Sequence, residues 1–264
     1  MLTPILLEVA FLVLIHTVVW YLISLVAKRN DVADIAWGLG FVTIAVYLYF
    51  THPSYLHSQM LYALVVIWGS RLSFYIGKRN AQKDEDFRYR KWREAWGGSF
   101  YWRSFLQVFL LQGVFLYLIA LPLAAAAANS HTLHFVESAW VFPFAAGWIL
   151  WIVGFLFQSI ADHQLAQFKK TKQPGQIMQS GLWRYSRHPN YFGEIVMWWG
   201  IYIMVMHIGW WTIISPVLIT WLLTKVSGVP MLEKKYEGNI AYDAYKQQTN
   251  AILPWPRKRK DKTS

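Results

Sequence analysis

Seven stretches of this chain stay apolar for close to the ~20 residues that a helix needs to cross the hydrocarbon core of a bilayer. They run over Pro4–Ala27, Asp34–Phe50, Ser58–Gly77, Ser104–Ala128, Ser138–Ala161, Tyr191–His207 and Gly209–Val226. Nothing constrains the fold more. A backbone in lipid must satisfy its own polar groups, so these stretches predict helices. Composition agrees. Of the 264 residues, 56% are hydrophobic and only 15% are charged, too few to cover a soluble fold of this size. The absence of cysteine excludes disulfide scaffolds, thiol enzymes and zinc-thiolate sites. The first stretch lacks a basic leader and a small-residue cleavage site, so it reads as a span and not a signal peptide. With no internal repeat and no low-complexity linker, the expectation is one all-α domain over 1–264, with seven transmembrane helices.

The basic residues orient it. With the N-terminus outside, loops 28–33, 78–103 and 162–190 and the tail from 225 onward are cytoplasmic, and they hold 24 of the 25 Lys and Arg. The exception, Arg71, lies inside the third stretch. The opposite loops at 51–57, 129–137 and around 208 hold none. This is the positive-inside pattern, with the C-terminus cytoplasmic. It accounts for the net charge of +11 without nucleic acid. The terminal P-R-K-R-K-D-K run reads as a solvated, lipid-facing tail.

Polar residues inside the spans are few. Glu8 and His16 fall on roughly one face of the first helix and suit hydrogen bonds to a neighbour. Gln107, Gln112 and Gln158 suit interhelical bonding. Gly38, Gly40, Gly193 and Gly200 suit close packing. Arg71 could snorkel or bind a ligand anion. Asp31 reads as a helix cap, and Asp34, a turn further in, as cap or site. Loops 78–103, 162–190 and 226–264 interleave acids, cations and large aromatics, a composition able to hold phosphates and stack on a planar ring, and 78–103 suits either a folded loop over a polar ligand or an interfacial amphipathic helix anchored by Trp. Pro189 fits the first turn of the sixth helix, placing Asn190, Tyr191 and Glu194 at its mouth. No dinucleotide-binding glycine fingerprint, phosphate loop or nucleophile elbow occurs. His131 and His134, with Glu137 nearby, read as surface residues and not as metal ligands.

At R-H-P-N-Y-F-G-E (187–194) the chain resembles the steroid 5α-reductase-like superfamily of membrane enzymes, and specifically its uncharacterised bacterial branch. D-I-A-W-G-L-G-F (34–41), W-G-S-R-L (68–72), E-D-F-R-Y-R (85–90), A-D-H-Q-L (161–165), G-L-W-R-Y-S (181–186) and V-S-G-V-P-M-L-E (226–233) extend the resemblance over most of the chain. Isoprenylcysteine methyltransferases share the R-H-P-x-Y-x-G signature, so an S-adenosylmethionine-dependent lipid methyltransferase is the alternative. The element before P-G and the N-Y-F-G-E run favour the reductases.

The resemblance implies an NADPH-dependent oxidoreductase that transfers hydride to the C=C bond of an enone in a steroid-like or other lipid. It implies a bacterial inner-membrane location, with the cofactor site facing the cytoplasm. It carries cofactor binding onto Asp162, Asn190, Tyr191 and Glu194, and onto Lys169, Arg187, Arg71, Tyr75 and Arg79. The quoted motifs add Arg88, Tyr89, Arg184, His188 and Glu233. The catalytic pair that polarises the carbonyl falls on Asp34, by position, and on Trp68, which stands where those reductases carry a tyrosine. An indole N–H donates a hydrogen bond but cannot give up a proton as a phenol does. Asp34 is expected to face a cavity and, as a protonated acid, to donate to the substrate carbonyl.

Overall fold

A computed structural model describes residues 2–52, 56–81, 83–129 and 141–257. Every regular element among them is helical. Among the described residues, six helices are long and apolar enough to cross a membrane, which fits an integral membrane protein: Leu2–Ala27, Val32–Thr51, Leu56–Asn80, Phe87–Ile119, Val141–Thr171 and Trp210–Lys234. The Tyr191–His207 stretch is also helical, as Pro189–Val205, but at 17 residues it is shorter than the others. His131, His134 and Glu137 lie outside the described residues.

The chain divides into two compact units, Met1–Glu137 with His207–Ser215, and Ser138–Met206 with Pro216–Ser264. The first unit contains α1 (Leu2–Ala27), α2 (Val32–Thr51), α3 (Leu56–Asn80), α4 (Phe87–Trp96), α5 (Phe100–Ser104), α6 (Leu111–Ile119) and α7 (Leu121–Ala128). A π-helical turn over Phe105–Leu110 joins α5 to α6. Pro122 starts α7 after a break at Ala120, as proline does where the preceding turn ends. Segment 87–96, for which the sequence left folded loop and amphipathic helix open, is helix. It is capped by Asp86, whose side chain accepts from the Arg88 N–H. Its Tyr89 packs with Val32, Ala33, Val108 and Phe109, flanked by Trp92 and Trp96.

Glycine sets how closely α2 and α3 approach. A Cβ on Gly38 would stand 2.7 Å from the Gly69 carbonyl oxygen, and one on Gly69 2.6 Å from the Gly38 carbonyl oxygen. Glu8 and His16 of α1 both reach α2: Tyr47 donates to Glu8 at 3.0 Å, and His16 Nε2 bonds the Ala36 carbonyl at 3.0 Å. Gln107, by contrast, is exposed.

The second unit contains α8 (Val141–Thr171), α9 (Pro189–Val205), α11 (Val229–Lys234) and α12 (Ile240–Gln248). Between them α10 (Ile214–Trp221) runs into a π-helical turn over Leu222–Val226. The α8–α9 pair meets through two glycine contacts. Cβ atoms on Gly147 and Gly154 would stand 2.6 and 2.5 Å from the carbonyl oxygens of Gly200 and Gly193. In lipid, such close approach replaces the hydrophobic drive that water would supply.

Gly154→Ala is expected to lower stability by about 1–3 kcal/mol, since the new methyl meets backbone and not a movable side chain. Gly98→Ala, where a Cβ meets nothing within 4 Å, is expected to change it little. Thermal unfolding of both variants in one detergent checks the contrast.

Candidate functional sites of the two units

In the first unit the conspicuous feature is a charge network around the start of α2. Asp34 Oδ1 accepts from Tyr89 at 2.8 Å, and Oδ2 from Arg88 at 3.0 Å, with Arg79 at 4.0 Å. Arg88 also holds Asp86 at 2.9 Å. Burial pushes the Asp86 carboxyl up, but the hydrogen bonds and charge of Arg88 outweigh it and hold it below the usual carboxylate range. Asp31 makes no side-chain cap. It is gripped instead by both arms of Arg29, at 2.7 and 2.8 Å, and accepts from the Asp86 N–H. Glu85 accepts from the Asn30 N–H at 2.7 Å and pairs with Arg93 at 2.9 Å. The E-D-F-R-Y-R motif thus works as a latch, fastening α4 to the loop before α2.

Both oxygens of Asp34 accept in this network, one from the Arg88 guanidinium. Trp68 is 1% exposed and packs edge-on against Phe41, 5.4 Å between ring centroids. On α3 the spacing of Trp68, Arg71, Tyr75 and Arg79 places them along one side. Arg71, Tyr75 and Arg79 are half-buried. Sequence reasoning missed Asn30, Glu85 and Arg93, although the run E-D-F-R-Y-R-K-W-R holds both latch acids and their arginines.

In the second unit, one face of α8 continues from its glycines into two polar rungs against α9. Gln158 donates to Glu194 at 2.8 Å, and Asn190 donates to Asp162 at 3.2 Å. Asp162 and Glu194 are 5% and 6% exposed. The Asn190 Oδ1 atom is buried and has no hydrogen-bond partner among the described residues. An unmet buried acceptor costs about 1–3 kcal/mol unless something donates to it. Tyr191 stacks on His188, with centroids 5.5 Å apart and rings 8° from parallel. The loop before α9 is seated on α8 by Met178 and Trp183 packed against Ala161, and Trp183 donates to the Ala161 carbonyl at 3.1 Å. Lys169 and Arg184 are exposed.

Arg187, His188 and Glu233, expected at the cofactor, contact one another and the tail. Arg187 Nε donates to Glu233 at 2.8 Å, and its Nη1 to the carbonyls of Lys246 and Thr249. His188 Nε2 lies 3.1 Å from Glu233, and Lys246 is 3.4 Å from it. Around this ion cluster the tail straps the loop down. The N–H groups of Arg187 and His188 donate to Asn250 and Ala251, that of Trp255 donates to Tyr185, and Tyr245 donates to the carbonyls of Trp183 and Ser186. Burial pushes the Tyr245 phenol above its usual value, so it remains a donor. Arginine suits this post because a charge taken out of water needs several fixed acceptors. Nothing in the R-H-P motif alone announces that its cation is consumed by the tail.

Over residues 20–249 the chain matches the family described as "Protein of unknown function (DUF1295)", and it belongs to that family. Its resemblance to the steroid 5α-reductase-like superfamily is borne out. It is 40% identical over 58 residues to 3-oxo-5-alpha-steroid 4-dehydrogenase 1 of Mus musculus, covering 22% of this chain and 23% of that protein. Against the Bos taurus protein of the same name it is 36% identical over 69 residues, covering 26% and 27%. The matched segments span about a quarter of the length of these curated relatives.

Burial holds the His188 imidazole below its ordinary 6.5, and Glu233 pulls the other way without overcoming it. A depressed imidazole contributes stability that is whole above pH 6.5 and is lost as pH falls through the folded value. Limited proteolysis of the 239–257 strap is therefore expected to quicken between pH 7.5 and 5.5. His188→Gln, which does not titrate, should flatten that rise.

Proposed function

We propose that this protein is an NADPH-dependent membrane reductase that saturates a C=C bond of a lipid enone. The observation that carries the reading is the buried, partnerless Oδ1 of Asn190 beside the buried acid Asp162, at the head of a motif that the chain shares with its superfamily. The unmet Asn190 oxygen seeks a donor and, next to Asp162, suits the carboxamide or ribose hydroxyls of a dinucleotide. In this reading Asp162 and Asn190 hold those groups. Gln158 and Glu194 keep the α8–α9 rungs in register behind them, and the His188–Tyr191 stack shapes one wall. In this reading Lys169 and Arg184, both exposed, contribute cations to the phosphates, while Arg187 pairs with Glu233. When bound, NADPH would supply hydride to the β-carbon of the enone. The chain's part is to orient the cofactor and exclude water.

In the same reading the protein crosses the membrane seven times. At ~1.5 Å per residue α9 is about 26 Å long, short of the ~30 Å core by an amount that local thinning accommodates. The N-terminus lies outside, and the polar rungs open toward the basic, cytoplasmic face. Asp34, with Tyr89 and Arg88, acts here by holding α4 and the α2 start in place. The two polypeptide relatives are named as steroid dehydrogenases, which supports an apolar, ring-bearing substrate.

Titration of purified protein with NADPH, NADH and S-adenosylmethionine tests the proposal. NADPH is expected to bind tightest. Asn190→Ala should weaken it by roughly three- to tenfold, the range of one lost hydrogen bond, with a modest loss of thermal stability because Asp162 loses a donor. Tighter binding of S-adenosylmethionine would instead make the protein a methyltransferase.

A further inference from the structure

Within the second unit, the strap that fastens the R-H-P loop leaves two large apolar side chains bare. Leu253 and Trp255 are 66% and 67% exposed. Their backbone, by contrast, is tied down. The Asn250 and Ala251 carbonyls accept from the Arg187 and His188 N–H groups, the Ile252 carbonyl accepts from Ser186, and the Trp255 N–H donates to the Tyr185 carbonyl. Leu253 and Trp255 each precede a proline, Pro254 and Pro256, which favours extended backbone and leaves the segment few conformations. A fixed backbone therefore presents both side chains.

The depth of the strap follows from α8. Trp183, two residues before Tyr185, donates to the Ala161 carbonyl, and there the apolar run of that helix gives way to Asp162, His163 and Gln164. The strap bonds the same short loop, so it lies where α8 leaves the hydrocarbon core. At that level tryptophan is favoured, because its ring is apolar and its N–H polar. Charge selects the headgroup. Arg257 donates to the carbonyls of Arg184 and Gln179 and to the Gln179 side-chain oxygen, all of them neutral, so they do not cancel its charge. The sequence continues as K-R-K-D-K-T-S, four cations against one acid. Apolar side chains beside clustered cations suit an anionic lipid surface, the first entering it and the second meeting its phosphates. We infer that residues 253–257 are an interfacial anchor for anionic phospholipid, and that this lipid, by holding the strap, keeps the R-H-P loop seated on α8. The inference asks only that α8 spans the membrane. Cofactor binding and hydride transfer do not enter it, so it and the proposed function fail separately.

The test uses full-length protein, without cofactor, in nanodiscs of phosphatidylcholine alone or mixed with phosphatidylglycerol. Hydrogen exchange of the 250–257 amides is followed by mass spectrometry. It is expected to slow roughly three- to tenfold in the anionic discs, and the difference should vanish at ~1 M salt, which screens exposed charges beyond ~3 Å. Trp255→Ser should shrink the slowing. Because the chain has no cysteine, Leu253→Cys gives a single site for a spin label. In anionic discs that label should collide more with oxygen, which enters lipid, than with a water-soluble nickel chelate. Equal exchange in the two lipid compositions would overturn the inference, as would a label that stays fully open to nickel in anionic discs. Slowing that follows protein concentration in detergent, and not lipid charge, would assign the surface to a second copy and overturn it too. Because exchange is read on the unaltered chain, it decides the matter even if a variant misfolds.

Discussion

The second unit depends on backbone contact between α8 and α9. Gly147 faces Gly200 and Gly154 faces Gly193, each so close that a single methyl on either side would run into a carbonyl. Water gives no reason for two helices to associate inside lipid, so close packing and interhelical hydrogen bonds must supply it. The register set by those glycines brings Gln158 against Glu194 and Asp162 against Asn190. Each rung buries an acid that would be untenable alone. The chemistry proposed for Asn190 is thus inherited from glycines several turns away.

Each unit uses the same solution for its charged residues. Around α2, Asp31 and Asp34 meet Arg29 and Arg88; before α9, Glu233 meets Arg187, His188 and Lys246. The arginines approach with fixed, forked geometry, and Arg29 and Arg187 also donate to carbonyls. Breaking such a cluster by removing one partner strands the other, so these residues are structural whatever further role they hold. The consequence for function is selective. Of the cofactor residues implied by the R-H-P-N-Y-F-G-E motif, Asn190 keeps an open acceptor, whereas Arg187 and His188 are committed to the strap.

The apolar pattern made the helices legible, because burial in lipid demands length and hydrophobicity that no other fold needs. It left one segment open and misjudged one boundary. Segment 87–96 is rich in charge and suits a loop or an amphipathic helix; Asp86 caps it and Tyr89 buries its face, so it is a helix. The α8 helix runs ten residues beyond its expected end at Ala161, because Gln164, Leu165 and Phe168 are held there by the 178–183 loop. In both places tertiary packing outweighed polarity, which in sequence is read one residue at a time.

What the sequence determined by itself was the helical membrane class, the asymmetry of its basic residues, the glycines of close packing, Pro189 at a helix start, and the superfamily motif that singles out Asp162 and Asn190. Each is a local property: a run of apolar side chains, a missing Cβ, a fixed φ, a short string of residues. Only the tertiary structure decided which polar groups are spent. Arg88 reaches Asp34 across 54 positions, and Arg187 reaches Glu233 across 46. Tyr245 fastens a loop some 60 residues earlier, and the Ala36 carbonyl fixes the tautomer of His16. A side chain's chemistry depends on the donors and acceptors it meets, and in this protein those come from remote parts of the chain.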